Sequence, residues 1–272
     1  MNRVPCELLL IDGDTLVYRY GLMNHETEVD FEDTPQLPPL EHAKAAIREK
    51  LQFLLDDTGV PDYRIALAPP GVKCFRYGFY PAYKAHRSAP PDIIRELKQW
   101  MRVEYHEKLI SHPDSQLVET DDILGWHHKP NGSTCIVSND KDFLTLPGWL
   151  YHPFTGDLHW ITRNSAMLQK FYQALVGDAA DGFPGCPGIG PKKAEEILLT
   201  ALEVPGITPF DLWPVTLFTY LSQGATAEDL VTTWCLLNVS GYLVTPTSYM
   251  KMYKCELPEE YHATFDAVCS QQ

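Results

Sequence analysis

Short apolar runs that end at acids alternate with amphipathic stretches through the first 160 residues. Residues 7–11 (E-L-L-L-I) predict a buried strand ending at Asp12, with a helix from about Thr15. Residues 26–39 are acidic, contain proline and predict a loop. Ala43, Ile47, Leu51, Leu54 and Leu55 recur at helical spacing over 40–57. Tyr63–Ala68 predicts a second strand, stopped by Pro69-Pro70-Gly71, and 92–110 shows a helical pattern. Leu117-Val118 and Cys135–Ser138 predict two further buried strands. A helix lies between them, from about Asp121 to before Pro130-Asn131-Gly132. Strands separated by helices predict an α/β fold with a mostly parallel central sheet flanked by helices. From Asn164 onward only helical patterns and Gly/Pro turns follow. The expected organisation is an α/β part over 1–162 and a helical part over 163–272, without internal repeats.

The chain has 272 residues, 44% of them apolar and 21% charged, which suits a folded globular protein and argues against disorder. Its aliphatic run Leu8–Ile11 is too short for a signal-peptide core or a membrane span, so no membrane partner is expected. Seven cysteines without C-x-x-C spacing suggest neither a disulfide framework nor a zinc site. A reducing, cytoplasmic setting and a monomeric state are the defaults. The net charge of −14 speaks against a nucleic-acid partner until its distribution is considered. Lys73, Arg76, Lys84, Arg87, Arg95, Lys98, Arg102 and Lys108 face only four acids in the same window. The remainder carries 14 basic and 32 acidic residues. One basic patch sits on an acidic body.

The acids are placed more informatively than they are counted. Asp12 and Asp14 follow the first strand; Glu119, Asp121 and Asp122 follow Leu117-Val118; Asp140 and Asp142 follow Cys135–Ser138. In a parallel sheet these strand ends share one edge, where ligands bind. Asp178 and Asp181 are three apart, so a helical turn would put both on one face. Clustered carboxylates repel unless cations sit among them, and an all-oxygen set suits Mg²⁺ or Mn²⁺. Two such ions can clamp the attacking and leaving oxygens of a phosphodiester. Read singly, each acid could equally cap a helix, as Asp121 and Asp140 precede helical patterns.

Downstream, F-P-G-C-P-G-I-G-P-K-K-A-E-E-I-L spans 183–198. Its P-G-I-G-P-K turn before a helix matches a helix–hairpin–helix binder of DNA backbone. Gly188 and Gly190 let backbone N–H groups approach a phosphate, and Lys192 or Lys193 adds charge. An ordinary Gly/Pro connection is the alternative. Pro81-Ala82-Tyr83-Lys84-Ala85-His86-Arg87 sets a tyrosine beside cations, as a site gripping a frayed strand would; a solvated basic face would look similar.

Together these residues resemble the 5′-nuclease family: flap endonucleases, the 5′-nuclease domain of bacterial DNA polymerase I, and phage 5′→3′ exonucleases. The segments are I-D-G-D at 11–14, P-A-Y-K-A-H-R at 81–87, V-E-T-D-D at 118–122, S-N-D-K-D-F at 138–143 and G-D-A-A-D-G-F-P-G-C-P-G-I-G-P-K-K-A at 177–194. D-G-D and D-K-D-F look most like the stand-alone exonucleases of short-tailed phages, which implies a phage or prophage origin and the cytoplasm of a bacterial host. The resemblance implies a PIN-like nuclease core and a two-metal-ion mechanism. Asp12, Glu119, Asp121 and Asp122 would hold one ion, and Asp140, Asp142, Asp178 and Asp181 the second. Asp12, Asp121, Asp142 and Lys84 would carry catalysis, Lys84 touching the scissile phosphate from the base of a helical arch at about 81–110. Arg19, Arg87 and Arg95 would be DNA contacts and Tyr83 a stacking residue. The hairpin would bind duplex backbone, with K⁺ a candidate ion there. Substrates would be DNA with free 5′ ends, 5′ flaps or nicks, and an RNA–DNA hybrid is a further candidate.

The family usually has another aspartate just after the second strand, where this chain reads Ala68-Pro69-Pro70-Gly71. Asp14 is close in sequence, although residues i and i+2 need not face one ion. The departure leaves open a catalytically weak or inactive binder of branched DNA. Asp12-Gly13-Asp14-Thr15 also resembles the opening of haloacid-dehalogenase-type phosphatases, but Leu16 stands where that motif wants Thr or Val. A ribonuclease of the same core fold is disfavoured by the DNA-type hairpin.

Overall fold

A computed structural model describes residues 3–22, 39–71, 73–112, 118–239 and 258–270. Most of the expected acidic loop at 26–39, and Leu117, lie outside the described residues. Leu9, Leu10 and Ile11 are wholly buried and build β1 (Leu8–Asp12) in the middle of a six-stranded sheet. On one side β1 pairs in parallel with β2 (Tyr63–Ala66), which pairs with β3 (Leu109–Ile110). On the other it pairs in parallel with β4 (Thr134–Val137), which continues to β5 (Gly148–Tyr151). An antiparallel β6 (Leu158–Ile161) forms the far edge.

Strand alternation separates two hydrophobic cores. Leu9, Ile11, Ile65, Cys135 and Val137 point to one face, with α1 (Gly13–Gly21), α2 (Leu40–Thr58) and α4 (Asp92–Glu104). Leu10, Ala66, Ile136 and Leu150 point to the other, with α5 (Thr120–His127), α6 (Arg163–Val176), α7 (Pro191–Leu202), α8 (Trp213–Ser222) and α9 (Ala227–Leu237). A short α3 (Arg76–Phe79) precedes α4, and α10 (His262–Ser270) packs on α9. The helical part therefore shares one continuous core with the sheet. No helix among the described residues is long and apolar enough to cross a membrane.

Several expectations change. Val118 is buried but belongs to no strand; the third parallel strand is Leu109–Ile110, inside the stretch expected to stay helical to 110. The inward-facing set Ile93, Ile94, Leu97 and Met101 ends at 101 and Val103 is exposed, so the helix stops at Glu104. The residues expected to form one arch at about 81–110 are thus a turn through Lys84, an exposed link at 88–91, a helix packed on α1 and α2, and the strand β3. The β5–β6 hairpin has no counterpart among the expected elements.

The chain leaves β1 toward β2 and β3, then returns to β4 on the opposite side. That reversal opens a crevice beyond the carboxyl ends of β1 and β4, the usual ligand position in such sheets. Helix α1 begins at Gly13 directly after β1. A Cβ there would lie 2.7 Å from the Ala66 carbonyl oxygen, so only glycine lets the first turn of α1 sit on the end of β2.

Candidate active site

A cleft of about 970 Å³ occupies this crevice, lined by Asp12, Asp14, Glu119, Asp121, Asp140 and Asp181 together with Lys84, Arg87, Lys98 and Arg19. Asp12 ends β1 and caps α1: its Oδ1 accepts from the Thr15 backbone N–H at 3.0 Å. Its Oδ2 accepts from the Thr15 and Ser138 hydroxyls, each at 2.7 Å. Glu119 is the N-cap of α5, and Asp140 caps the short 3₁₀ turn Lys141–Thr145 by accepting from the Asp142 N–H at 2.9 Å. Helix starts, one of them directly at the end of β1, thus aim three carboxylates into one space.

Opposite them stands Lys84, at φ 51°, the one non-glycine residue at positive φ among those described. Its N–H donates to the Asp181 carbonyl at 2.8 Å. Its ammonium is 2.5 Å from Glu119 Oε1 and 3.6 Å from Asp181 Oδ2. Backbone strain of this kind persists only where surroundings enforce it. The Tyr83 hydroxyl lies 2.8 Å from both Glu119 Oε2 and Asp181 Oδ2. Arg87 donates to Asp181 Oδ1 at 2.6 Å and to the Ala180 carbonyl.

The charges are unevenly compensated. Burial, then neighbouring Asp14, pushes Asp12 up to about 6. Burial, then Asp140 and Asp12, holds Asp121 well above the usual carboxylate range. Burial also raises Asp140, and together with Asp140, Asp181 and Asp178 it pushes Asp142 up to about 7. Glu119 goes the other way: burial would raise it, but Arg76 and Lys84 outweigh that and hold it low. Lys84 is raised, because Glu119 and Asp181 outweigh its burial. Among the described residues no three His, Cys, Asp or Glu side chains are grouped tightly enough to enclose an ion directly. Lysine ammoniums stand on several of the acids instead: Lys84 on Glu119, Lys98 on Asp14, Lys141 on Asp178 at 2.9 Å. The donor set itself, oxygen throughout with Asp12, Asp121, Asp140 and Asp142 only partly relieved of their repulsion by Lys84 and by hydrogen bonds, fits a hard divalent cation.

Not every expected residue reaches the cleft. Asp122 turns away, fully buried, and forms a bidentate pair with Arg76 at 2.8 and 2.9 Å. Its Oδ2 also accepts from the Glu119 N–H, closing the first turn of α5. Arg76 further donates to the Leu236 and Asn238 carbonyls and so ties α5 to the end of α9. Tyr83 is 1% exposed with its hydroxyl between two acids, so its ring is not open to a base. Arg95 lies on the outer side of α4, paired with Asp92 at 2.9 Å. No helical turn carries Asp178 and Asp181: Gly177–Asp178 pairs antiparallel with Phe183–Pro184, and Asp178, buried at the start of the connecting turn, accepts from the Ala180 and Asp181 N–H groups, which brings the two acids together without a helix. Asp142 is next to Asp140 and receives the Gln173 side-chain N–H at 2.7 Å. Arg19 lines the cleft with its guanidinium over the Phe154 ring at 5.2 Å. In the hairpin, Gly188 (φ 70°) and Gly190 are exposed, and Lys192 and Lys193 are exposed in the first turn of α7. Arg76, Lys98, Gln173 and Phe154 join the site without a motif to announce them. Lys98 has a faint signal, since it flanks the inward stripe of α4 four residues before Arg102, which bonds the Ala68 carbonyl.

The profile of the family described as 5′-3′ exonuclease, N-terminal resolvase-like domain matches residues 7–152. DNA polymerase I of Borreliella burgdorferi is 30% identical over 220 residues, 74% of this chain but 23% of that protein. The 5′-3′ exonuclease of Mycoplasma pneumoniae is 28% identical over 214 residues, 70% of each. The chain spans less than a quarter of the length of the DNA polymerases I that it matches. The bacteriophage T5 D15 protein co-crystallized with metal ions superposes with a TM-score of 0.61 at 16% identity, covering 97% of this chain and 98% of that one. The D15 flap endonuclease complex with DNA and metal ions gives 0.58 at 17% identity over the same shares. These structures agree with the parallel sheet and its helical flank. With the profile covering more than half of its length, this chain belongs to the family of the 5′-3′ exonuclease N-terminal, resolvase-like domain.

Proposed function

We propose that the chain is a divalent-metal-dependent nuclease that hydrolyses DNA phosphodiesters from free 5′ ends, at 5′ flaps or at nicks, as a monomer in the cytoplasm. The observation that carries this reading is a strained lysine facing a ring of electrostatically uncompensated carboxylates at the switch point of the sheet. Family membership and the DNA and metal ions in the T5 D15 structure support it. Asp12, Glu119 and Asp121 would hold one Mg²⁺ or Mn²⁺ ion, and Asp140, Asp142, Asp178 and Asp181 a second. Bound ions would supply Lewis-acid stabilisation of charge on the phosphodiester oxygens.

The chain's own residues supply the remainder. The carboxylates cannot approach a phosphate unaided, because like charges repel. Lys84 holds its ammonium at the mouth of that negative space and would move from Glu119 to a non-bridging phosphate oxygen, where a charge-assisted contact strengthens as charge develops. Tyr83 positions Glu119 and Asp181 through its hydroxyl. Arg87 and Arg19 would take flanking phosphates. Gly188, Gly190, Lys192 and Lys193 would grip the duplex backbone away from the cut, with K⁺ a candidate ion there. An RNA–DNA hybrid is a candidate substrate on the same chemistry.

The test uses an internally labelled 5′-flap duplex and a blunt duplex, each incubated with Mg²⁺, with Mn²⁺ and with EDTA, and the products sized. Metal-dependent shortening is the expected result. Ala68, at the cleft wall where the family usually has an aspartate, favours a second reading as a non-cutting DNA binder. Retention of the flap duplex on a gel with no shortening under either metal would establish that reading and overturn the first.

A further inference from the structure

We propose that Asp14 is a metal-binding residue of this cleft, supplying at the end of β2 the acidic oxygen that Ala68 lacks. The inference rests on the reading of the cleft as a divalent-ion site. Asp14 lies in the first turn of α1, and Gly13 lets that turn sit directly on Ala66 and Leu67. Asp14 therefore stands beside the wall formed by Ala68, and both line the cleft.

The two oxygens of Asp14 are not equivalent. Oδ2 accepts from the Thr120 hydroxyl and from Lys98 Nζ, each at 2.9 Å. Oδ1 is buried and accepts no hydrogen bond. A buried carboxylate oxygen without a donor is costly and needs a cause, such as an ion. Thr120 sits between Glu119 and Asp121, so the bond to Oδ2 fixes Asp14 against the very segment that brings the other acids. Lys98, 18% exposed, supplies the local countercharge. The competing explanation is a mechanical clip: Asp14 merely joins α1 to α4 and α5.

Mn²⁺ titration of the full chain without DNA, read by calorimetry, separates the two. Asp14→Asn keeps an acceptor for Thr120 but removes the charge. It is expected to weaken the tightest Mn²⁺ site by about tenfold or more, at least what loss of an outer partner of a metal ligand costs. Lys98→Met removes the ammonium that competes for Asp14 and is expected to tighten that site by about threefold or more. If both variants melt lower than wild type and bind Mn²⁺ as wild type does, Asp14 is a clip and the proposal falls. Wild-type flap cleavage is measured alongside. Wild-type protein that binds no Mn²⁺ overturns both the nuclease reading and this one. Wild-type protein that cuts, with an Asp14→Asn variant of unchanged Mn²⁺ affinity, overturns only this one.

Discussion

Replacing Asp142 with asparagine is expected to stabilise the metal-free protein, and to do so increasingly as pH rises. Asp142 is half-buried beside Asp140, and loss of solvation, then Asp140, Asp181 and Asp178, pushes it up to about 7. A carboxyl whose folded-state value is raised holds its proton in the folded chain after losing it in the unfolded one. Wild-type stability is therefore lost as pH climbs from about 4 through 7. Between pH 5 and pH 8 the ionisation of Asp142 costs the folded state about 2–3 kcal/mol, at 1.36 kcal/mol per unit. The introduced asparagine accepts the same Gln173 N–H and carries no charge, so the variant escapes this cost. At roughly 2–4 °C per kcal/mol for a chain of this size, its melting temperature should exceed that of wild type by roughly 5–10 °C more at pH 8 than at pH 5. Comparing variant with wild type cancels His128, whose burial lowers it to about 4 and which gives an opposite slope below pH 6.5. Thermal melts in EDTA at pH 5, 6, 7 and 8 measure the difference. Repeating them with Mg²⁺ should close the gap, because the ion binds only the folded wild-type cluster well. A gap that is constant with pH, or a variant that melts lower at pH 8, would refute the view that Asp142 is held in an uncompensated acidic cluster.

Lys84→Ala should lower the single-turnover cleavage rate by roughly 10²-fold, the scale of a lost transition-state stabiliser, whereas Arg95→Ala on the outer face of α4 should stay within about twofold. Arg76→Met leaves Asp122 buried without its partner and should cost about 3–5 kcal/mol in a denaturant titration; the double variant with Asp122→Asn should recover much of that loss. Lys192→Ala with Lys193→Ala should weaken duplex binding and reduce its salt slope by about one to two units, leaving the rate of the bound complex unchanged.

Acids at strand ends are legible because a parallel sheet brings its carboxyl ends together whatever lies between them. That rule places Asp12 and Asp140 in one cleft; Glu119 and Asp121 join them from the start of α5, so the four acids come from three short segments. It does not distinguish Asp121 from Asp122, adjacent residues at one helix start. The choice is made by Arg76, more than forty residues away, which pairs with Asp122 in bidentate fashion and with two carbonyls at the end of α9, while also reaching Glu119 at 3.2 Å. Tyr83 misleads for a similar reason. A tyrosine beside cations suits stacking on a base, but the acids that capture its hydroxyl are 36 and 98 residues away. The end of α4 and the β5–β6 hairpin escape sequence reading on local grounds: two- and four-residue strands carry too little periodicity to announce themselves.

The sequence poses a choice between helix caps and site acids, and the geometry makes the two roles one. Where a strand runs straight into a helix, the junction residue is extended, lies at the sheet edge and precedes the first free N–H groups. Asp12 occupies such a junction; Asp140, with two residues between it and β4, and Glu119, which no strand precedes among the described residues, are extended caps of the same kind. A helix N-terminus favours negative charge and supplies donors, so it offsets part of the cost of desolvating a carboxylate. The offset is incomplete: Asp12 accepts three hydrogen bonds and is still raised to about 6. Caps thus let the acids be buried together without fully neutralising them, and the residual repulsion is what a cation can relieve. Loss of the fold in an alanine variant at these positions therefore says little about metal binding, since alanine removes cap and charge together. Asparagine keeps the cap acceptor and removes the charge, and so isolates the part of the interaction that belongs to the site.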